Sequence, residues 1–530
     1  MADVWPSSLP QYVLREGFSE AIGDGRLRSQ PDKGPAKVRR RSSMMPKLQQ
    51  ARMIMSAGQL AILREFVSDT LMNGSLPFLM PDPITRYPAL VRFAENLPAW
   101  TSRGIHFDVS FDLEVLYTMK PTTIIQDGRL LIGSCVRNSP AAYFDANRVL
   151  RWAAAHELRT AHDLVTAEPA ALIESAATNL LRNPRAEGTT LGALNTANEP
   201  TYWDFTRTAG LGLTEEIVGV GQEDGIDYID IKYSGVTAVA GTLVCSCENA
   251  VSVPAHPGQV MTISAFLRLL SGDISHATGR RLAIFEQRVG QGALTTGAID
   301  FTTDARPLRE QRKEFTFTVA HAETTHILPQ PYRISFAAGA AVDFTIRVGL
   351  PQVEVGSRAS SPIAPPAGTL GQWSRLADVV SAPTSAFPFN GNEGTLYAKV
   401  RLPDLPGGDR YAAAIHGNFN DAYWMRFRSG GVMNATVRSG GADSAYLSNA
   451  GYVAGSIAKV ALSYRANRFA ASFNGSAPVI DTSGALPMGA MTALAIGGRE
   501  GGIGALNGRI LDLDYHPRAL SDGEIREMTT

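Results

Sequence analysis

Phe344-Thr345-Ile346-Arg347-Val348, and before it Phe315-Thr316-Phe317-Thr318-Val319, place a bulky apolar residue at every second position. A period of two is the signature of a strand with one buried face. Asp227, Ile229 and Ile231 alternate with Tyr228, Asp230 and Lys232 in the same way. Across 183–357, Thr, Val and Phe recur between Gly-rich turns, the texture of an antiparallel β-sandwich. Residues 262–270 are the one helix-like interruption.

Toward the C-terminus, residues 358–368 read by composition as a linker. The run Ser360-Ser361-Pro362-Ile363-Ala364-Pro365-Pro366-Ala367-Gly368 is its centre, and it is expected to let the last unit move against the one before it. Residues 369–530 return to strands and glycine turns, clearest at 394–400, 423–427, 460–464, 469–473 and 510–515. Asn474-Gly475 marks a turn. Ser521-x-x-Glu524 is a capping box for a short last helix.

Toward the N-terminus, residues 1–120 form a unit of their own. Ser56-x-x-Gln59 caps a helix whose face is Leu60, Leu63, Val67 and Leu71, and Asn73-Gly74 ends it. Phe107, Val109, Phe111, Leu113, Val115 and Tyr117 then mark a long half-buried strand, so one helix on an antiparallel sheet is expected. Between the two parts, 121–182 reads as a connector. It carries a hairpin signal at Asp127-Gly128, and 148–158 is either a short helix or irregular.

Composition narrows the function. The 530 residues suggest three to four domains, and 44% hydrophobic content is enough for several cores. Lys plus Arg is 49 and Asp plus Glu is 50, a balance that argues against a general nucleic-acid binder. The local exception is residues 1–55, with ten Lys/Arg against five Asp/Glu and a peak at Lys37-Val38-Arg39-Arg40-Arg41. Without a stacking aromatic beside it, that run reads as a subunit contact or solvated face and not as a specific nucleic-acid site. No apolar stretch is long enough for membrane insertion, and no secretion signal opens the chain. The expectation is synthesis in the cytoplasm, with Cys135, Cys245 and Cys247 as reduced structural thiols.

No G-x-S-x-G, H-E-x-x-H, P-loop or Cys/His metal spacing occurs, so the chain is not expected to be an enzyme. Asp227/Asp230 and Asp512/Asp514 are paired carboxylates of the kind a glycosidase uses, but alternating acids on a strand are more often a solvated face. Sugar binding suits the residues better. An aromatic ring stacks on the C–H face of a sugar while Asn, Asp and Arg bond its hydroxyl rim. Tyr202-Trp203-Asp204 and the stretch 418–424, with Asn420 and Trp424, hold that mixture, and Trp203 is the leading candidate. Only one of Tyr423 and Trp424 can point outward from a given surface.

The order of motifs at the N-terminus carries a family resemblance. Trp5-Pro6-Ser7-Ser8-Leu9-Pro10, Gly17-Phe18-Ser19, Arg28, Asp32-x-Gly34-Pro35, Arg39-Arg40-Arg41, the 56–72 helix, Gly74-Ser75-Leu76-Pro77-Phe78 and Asp82-Pro83 together resemble the distal and minor tail proteins of long-tailed bacteriophages, the lambda M protein type. Tyr143-Phe144-Asp145-Ala146, Leu158-Arg159, His162-Asp163 and Leu172-Ile173-Glu174 resemble a segment that precedes lectin-like modules in phage structural proteins; Ala171 stands where that segment usually has Gly. Asn183-Pro184, Thr201-x-Trp203 and the run from Phe344 to Gly356 resemble a carbohydrate-binding jelly roll. Arg375-x-Ala377-Asp378, Glu393-Gly394-Thr395 and Gly508-Arg509-Ile510 are similar to a concanavalin/laminin-G-like sandwich.

The resemblance implies a mainly β chain: a tail-tube-like β domain with one helix, followed by two lectin-like β-sandwich domains, the first a jelly roll. It implies a virion protein of the tail tip, a homohexameric ring touching the tail tube and tail hub, and sandwiches that meet a host cell-surface glycan. Lysis would release such a protein without a secretion signal. Two rival readings are a tail-associated glycan depolymerase and a purely architectural baseplate spacer. Jelly rolls of this kind often hold a structural Ca²⁺ near their joined termini. The candidate ligands are Asn183, Glu187 and Glu354, against the plainer reading of polar residues at a sandwich edge.

Overall fold

The computed structural model describes residues 3–24, 26–29, 36–40, 45–194, 197–248, 253–290 and 292–530. Arg41 of the basic run and the Asp32-x-Gly34-Pro35 stretch lie outside them. The described chain is mainly β, with two short α-helices and several sandwich sheets.

In the N-terminal unit, His106–Thr118 is the long strand that the alternation predicts. Val109, Phe111, Leu113 and Val115 are buried on one face. The strand pairs with Lys47–Met55 on one side and with Pro88–Phe93 on the other, inside a seven-stranded sheet. The helix Ala57–Glu65 starts at the Ser56/Gln59 capping box and runs on as a wider turn, Phe66–Thr70. It drops Leu60, Leu63 and Phe66 onto the sheet. There Trp5 meets Phe66 edge-on and stacks on Phe78, both at 5.8 Å between ring centroids. A two-stranded ladder, Arg26–Ser29 against Lys37–Arg40, stands apart from that sheet.

The middle sandwich comes from one continuous piece of chain. Its two sheets face each other across a core that includes Ile229, Ile231, Cys245, Ile263, Ile334, Phe344 and Ile346. The helix-like reading of 262–270 is corrected here. Val260–Asp273 is a 14-residue strand between Arg312–Thr318 and Ala341–Val355. Ile263, Ala265 and Leu267 face the sandwich core. Phe266, on the other face, joins a second cluster with Leu308, Leu350, Ala142 and Leu150. With both faces covered, the strand loses its alternation, and a continuous apolar run cannot be told from a helix by period alone.

The C-terminal sandwich comes from two pieces of chain. Its larger sheet holds Gly508–His516 beside Glu393–Arg401, and the other edge of Gly508–His516 is taken by Thr122–Gln126 and Pro169–Ile173. In the smaller sheet, Ser134–Val136 pairs with Val379–Pro383. Ile124, Ile125, Cys135, Ala171 and Ile173 are buried in the same core as Leu462, Ile496 and Leu513. The segment 121–182, read as a connector, therefore contributes strands to this sandwich. The middle sandwich is inserted into it, and the ladder Ala177–Asn179 against Trp373–Arg375 closes the base of the insertion. Within the segment, Thr122–Gln126 and Arg129–Leu130 form the hairpin, with Asp127 and Gly128 both left-handed (φ 49 and 71). A Cβ on Gly128 would lie 2.3 Å from the Ala170 carbonyl carbon, so this turn admits only glycine. The 148–158 stretch is no helix; Leu150–Ala153 pairs with Ala141–Phe144.

The movable linker is a further correction. Pro362, Ile363, Ala364 and Pro365 are buried. The Ile363 N–H donates to Gln352 Oε1 at 2.8 Å, and its carbonyl accepts from Asn179 Nδ2 at 2.9 Å. Ser361 donates to Glu174 through its N–H at 2.9 Å and its hydroxyl at 2.6 Å. Beneath lies a buried ionic cluster. Asp378 takes Arg137 Nη1 at 2.6 Å, Arg159 and the Glu174 N–H at 2.9 Å, while Glu174 takes Arg159 at 2.7 Å and Arg375 at 2.9 Å. Burial alone would raise the Glu174 carboxyl; Arg375, Arg159 and the Ser361 bonds hold it well below its usual range.

Candidate functional site

The smaller sheet of the C-terminal sandwich has an outer face with its own aromatic layer. Along Asp421–Arg428, Tyr423, Met425 and Phe427 point into the main core. Ala422 and Trp424 point the other way and cluster with Tyr411, Ala414 and Ala495. Trp424 is only 3% exposed. Tyr411 meets it edge-on at 5.7 Å and Phe419 lies against it at 5.5 Å. The guanidinium groups of Arg426 and Arg438 cover its ring at 5.3 and 5.2 Å.

What this face presents to solvent is therefore not Trp424. Phe419, at 45% exposure, projects from the turn between Arg410–Asn418 and Asp421–Arg428. The Asn418 carboxamide oxygen shapes that turn by accepting the Asn420 N–H at 2.7 Å and the Asp421 N–H at 3.1 Å. Two guanidinium groups approach the Phe419 ring, Arg438 at 4.7 Å and Arg499 at 4.8 Å. Tyr446, 43% exposed, holds Arg428 Nη1 through its hydroxyl at 2.6 Å. Asp409 fixes Arg426 and Arg428 at 2.8 and 3.0 Å. Asp421 accepts the N–H groups of Gly440 at 3.1 Å and Met488 at 3.0 Å, tying three loops together below the face. Those backbone bonds hold its carboxyl below the usual range. Asn420 is exposed beside Phe419. An apolar ring with guanidinium and amide donors around it matches the two-part surface of a sugar.

The other nominated residues fare differently. Trp203 is 5% exposed in the middle core, its indole N–H donating to the Asn183 carbonyl at 2.9 Å. It is a packing residue, and its choice as a stacking platform is corrected. Tyr202, left-handed at φ 72, is exposed but has Arg182 over its ring at 3.6 Å. Asp204 is exposed at the start of Asp204–Arg207.

The three metal candidates do not fit a cation. The Asn183 carboxamide accepts from the Glu187 N–H at 2.8 Å and donates to the Glu187 and Thr201 carbonyls at 3.0 and 2.8 Å. Glu187 takes the Gly368 N–H at 2.7 Å. Both Glu354 oxygens are held elsewhere, by the Ser360 N–H at 2.7 Å, the Ser360 hydroxyl at 2.8 Å and Gln352 at 2.7 Å. Among the described residues no group of three His, Cys, Asp or Glu side chains could hold a metal ion. Of the paired acids, Asp227 is bonded to Arg185, and Asp230 is bidentate with Arg347 at 2.7 and 2.8 Å. Asp512 accepts the Asp127 N–H at 3.3 Å. Burial raises the carboxyl of Asp514.

Residues 369–526 match the family described as the concanavalin A-like lectin/glucanases superfamily. No curated protein matches the chain. Among solved structures, the CBM40 of a Ruminococcus gnavus IT-sialidase bound to α2,6-sialyllactose is 17% identical, over 27% of this chain and 85% of that one, with a TM-score of 0.22. Domain 4 of the GH43 extracellular arabinanase AbnA of Geobacillus stearothermophilus, in complex with arabinotriose, is 16% identical over 32% and 82%, also with a TM-score of 0.22. The tandem CBM22 domains of Paenibacillus barcinonensis Xyn10C are 10% identical over 66% and 100%, with the same score. Likenesses this low do not bear on function; the sheets and the family match establish a lectin-like sandwich in the C-terminal unit.

Proposed function

We propose that this chain is a glycan-binding structural protein of a phage tail tip, with its sugar site on the outer face of the C-terminal sandwich. The observation that carries the binding part is the exposed Phe419 ring, with the guanidinium groups of Arg438 and Arg499 over it, on a lectin-like sheet. The two guanidinium groups over Phe419 and the Asn420 amide bond the sugar hydroxyls, the part of the ring they leave exposed packs on its C–H groups, and Tyr446 extends the surface. The site is shallow and weak singly, and gains strength when several copies engage one polymer. Trp424 is the floor that holds Phe419 in place.

Assembly at a tail tip rests on the N-terminal motif order together with one structural feature. The ladder Arg26–Ser29/Lys37–Arg40 exposes Leu27 and Val38, and none of its described residues belongs to a buried core. Isolated two-stranded hairpins are marginal in water, so a neighbouring copy is the natural support for this arm. A homohexameric ring against the tail tube and hub would cluster the sugar sites. The chain acts in this reading without catalysis.

The test is binding of the full chain to immobilised host-surface polysaccharide. Phe419→Ala is expected to weaken it severalfold with an unchanged melting temperature. Equal binding by wild type and variant would remove the outer face as the site. Sedimentation of the full chain as a monomer at every concentration would remove the ring.

A further inference from the structure

A cleft of about 660 Å³ opens where the segment 143–177, the middle sandwich and the C-terminal sandwich meet. Seven arginines and three carboxylates line it. Most of the arginines are answered: Arg309 by Asp224, Arg358 and Arg410 by Asp404, Arg375 by Glu174, and Arg401 by Asp163 and Glu168. Two are not.

Arg312, from the middle sandwich, has no carboxylate within 4.0 Å among the described residues; it donates only to the Ser360 carbonyl at 2.7 Å and the Ser264 hydroxyl at 3.0 Å. Its Nε is buried without an acceptor. Arg509, from the C-terminal sandwich, has only Asp163 at 3.6 Å, an oxygen that Arg401 already takes at 3.0 Å. Its Nη1 is likewise buried and unbonded. Burial works against the charge of both guanidinium groups. Arg309, Arg375 and Arg401 each also keep a buried Nε with no acceptor. The cleft is rich in donors and short of acceptors, and buried donors without partners are costly.

Its neutral wall is aromatic, from Tyr143, Phe144 and Phe266. The volume suits one or two sugar units. A carboxylate is planar, with two oxygens that match the guanidinium fork. We propose that this cleft binds an acidic saccharide, a sugar unit bearing a carboxylate, held between Arg312 of the middle sandwich and Arg509 of the C-terminal sandwich. The carboxylate answers the two arginines and the ring packs on the aromatic wall. This site is separate from the outer face and stands whether or not that face binds sugar.

The test is calorimetric titration of the full chain with tetragalacturonate and with its neutral counterpart, galactotetraose. Tetragalacturonate is expected to bind and galactotetraose is not. Arg312→Gln and Arg509→Gln should each weaken binding by roughly tenfold or more, with thermal melts checking the fold. Phe419→Ala, on the outer face, should leave this binding unchanged. A second measurement needs no variant: saturating tetragalacturonate should protect Arg312 and Arg509 of the wild-type chain from phenylglyoxal, read by mass spectrometry, and sodium sulfate at the same concentration should not. No binding of tetragalacturonate, equal binding of the neutral oligomer, unprotected arginines, or equal protection by sulfate would each overturn the proposal.

Discussion

The middle and C-terminal sandwiches use the same period-two strands and differ in how the chain delivers them. The middle one runs through Gly192–Ala193 to Ala341–Val355 in one continuous stretch. The C-terminal one is split, with Thr122–Gln126, Ser134–Val136 and Pro169–Ile173 pairing to strands beyond residue 378. A continuous sandwich can close its core by itself. A split one must bring its halves together across the whole inserted domain, so its integrity depends on the joint at Asp378, Glu174 and Ser361. The packed strap at 362–365 and the ionic cluster are the parts that make that joint rigid.

The largest expected effect separates the two directly. A fragment of residues 179–365, which keeps the buried Leu181 and the Asn179 and Ile363 bonds, should fold alone, whereas 369–530 alone should aggregate or remain unfolded, and 121–530 should restore it. Ile124, Ile125 and Ile173 are fully buried in its core. Losing three such side chains forfeits roughly 5–9 kcal/mol, as large as the whole stability of many domains. Circular dichroism and thermal melts of the three fragments decide it; a cooperatively folding 369–530 would break the comparison.

Asp378→Ala comes next. It leaves Arg137 buried with no carboxylate and Arg159 with Glu174 alone, and removing one partner of a buried pair costs about 3–5 kcal/mol. The loss should appear in the C-terminal transition while the middle sandwich melts as before. A single unchanged melt for both would show that the cluster does not hold the joint.

Trp203→Ala should do the converse. Emptying a core site of this size costs about 3–5 kcal/mol, and the middle transition should fall while the C-terminal one stays. If Trp203→Ala instead abolished glycan binding with no change in melting, the buried reading of Trp203 would be wrong.

The smallest effect is on docking of the N-terminal unit. Tyr87 Oη lies 2.8 Å from His516 Nδ1, and their rings stack at 5.9 Å. Burial, and then Arg518, push the His516 imidazole down to about 4 from an ordinary 6.5. Undocked, the imidazole would take a proton below about 6.5 that the docked one refuses. Docking is therefore full above that pH and weakens as pH falls toward 4. Hydrogen exchange around Tyr87 should quicken between pH 7 and pH 5, after correction for intrinsic rates, and His516→Gln should flatten the change. A wild type with no pH dependence would contradict it.

Local features were legible in the sequence because they are written in neighbouring residues. The capping boxes at Ser56 and Ser521, the Asp127-Gly128 turn and the alternation through 109–115 all hold in the structure, whereas Tyr117, read as the end of the buried face, is exposed past a break in register. Pairing between distant strands was not legible. Nothing in Thr122–Gln126 says that its partner is Gly508–His516. The stretch 418–424 was singled out for its mixture of rings and amides, but the residue chosen, Trp424, lies under Arg426 and Arg438. The usable signal was Phe419 between Asn418 and Asn420, since a ring flanked by turn-forming asparagines sits at a turn tip. The arginine cleft left no local trace, because its walls come from three separate parts of the chain.

The most direct test of the account is a hydrogen-exchange footprint of the full chain with and without a host-surface polysaccharide that it retains. Exchange is predicted to slow at 416–424, 438–443 and 499–503, the loops around Phe419, Arg438 and Arg499. Retention of the polysaccharide with those loops unchanged, and protection centred instead on 200–206 around Tyr202 and Trp203, would contradict it.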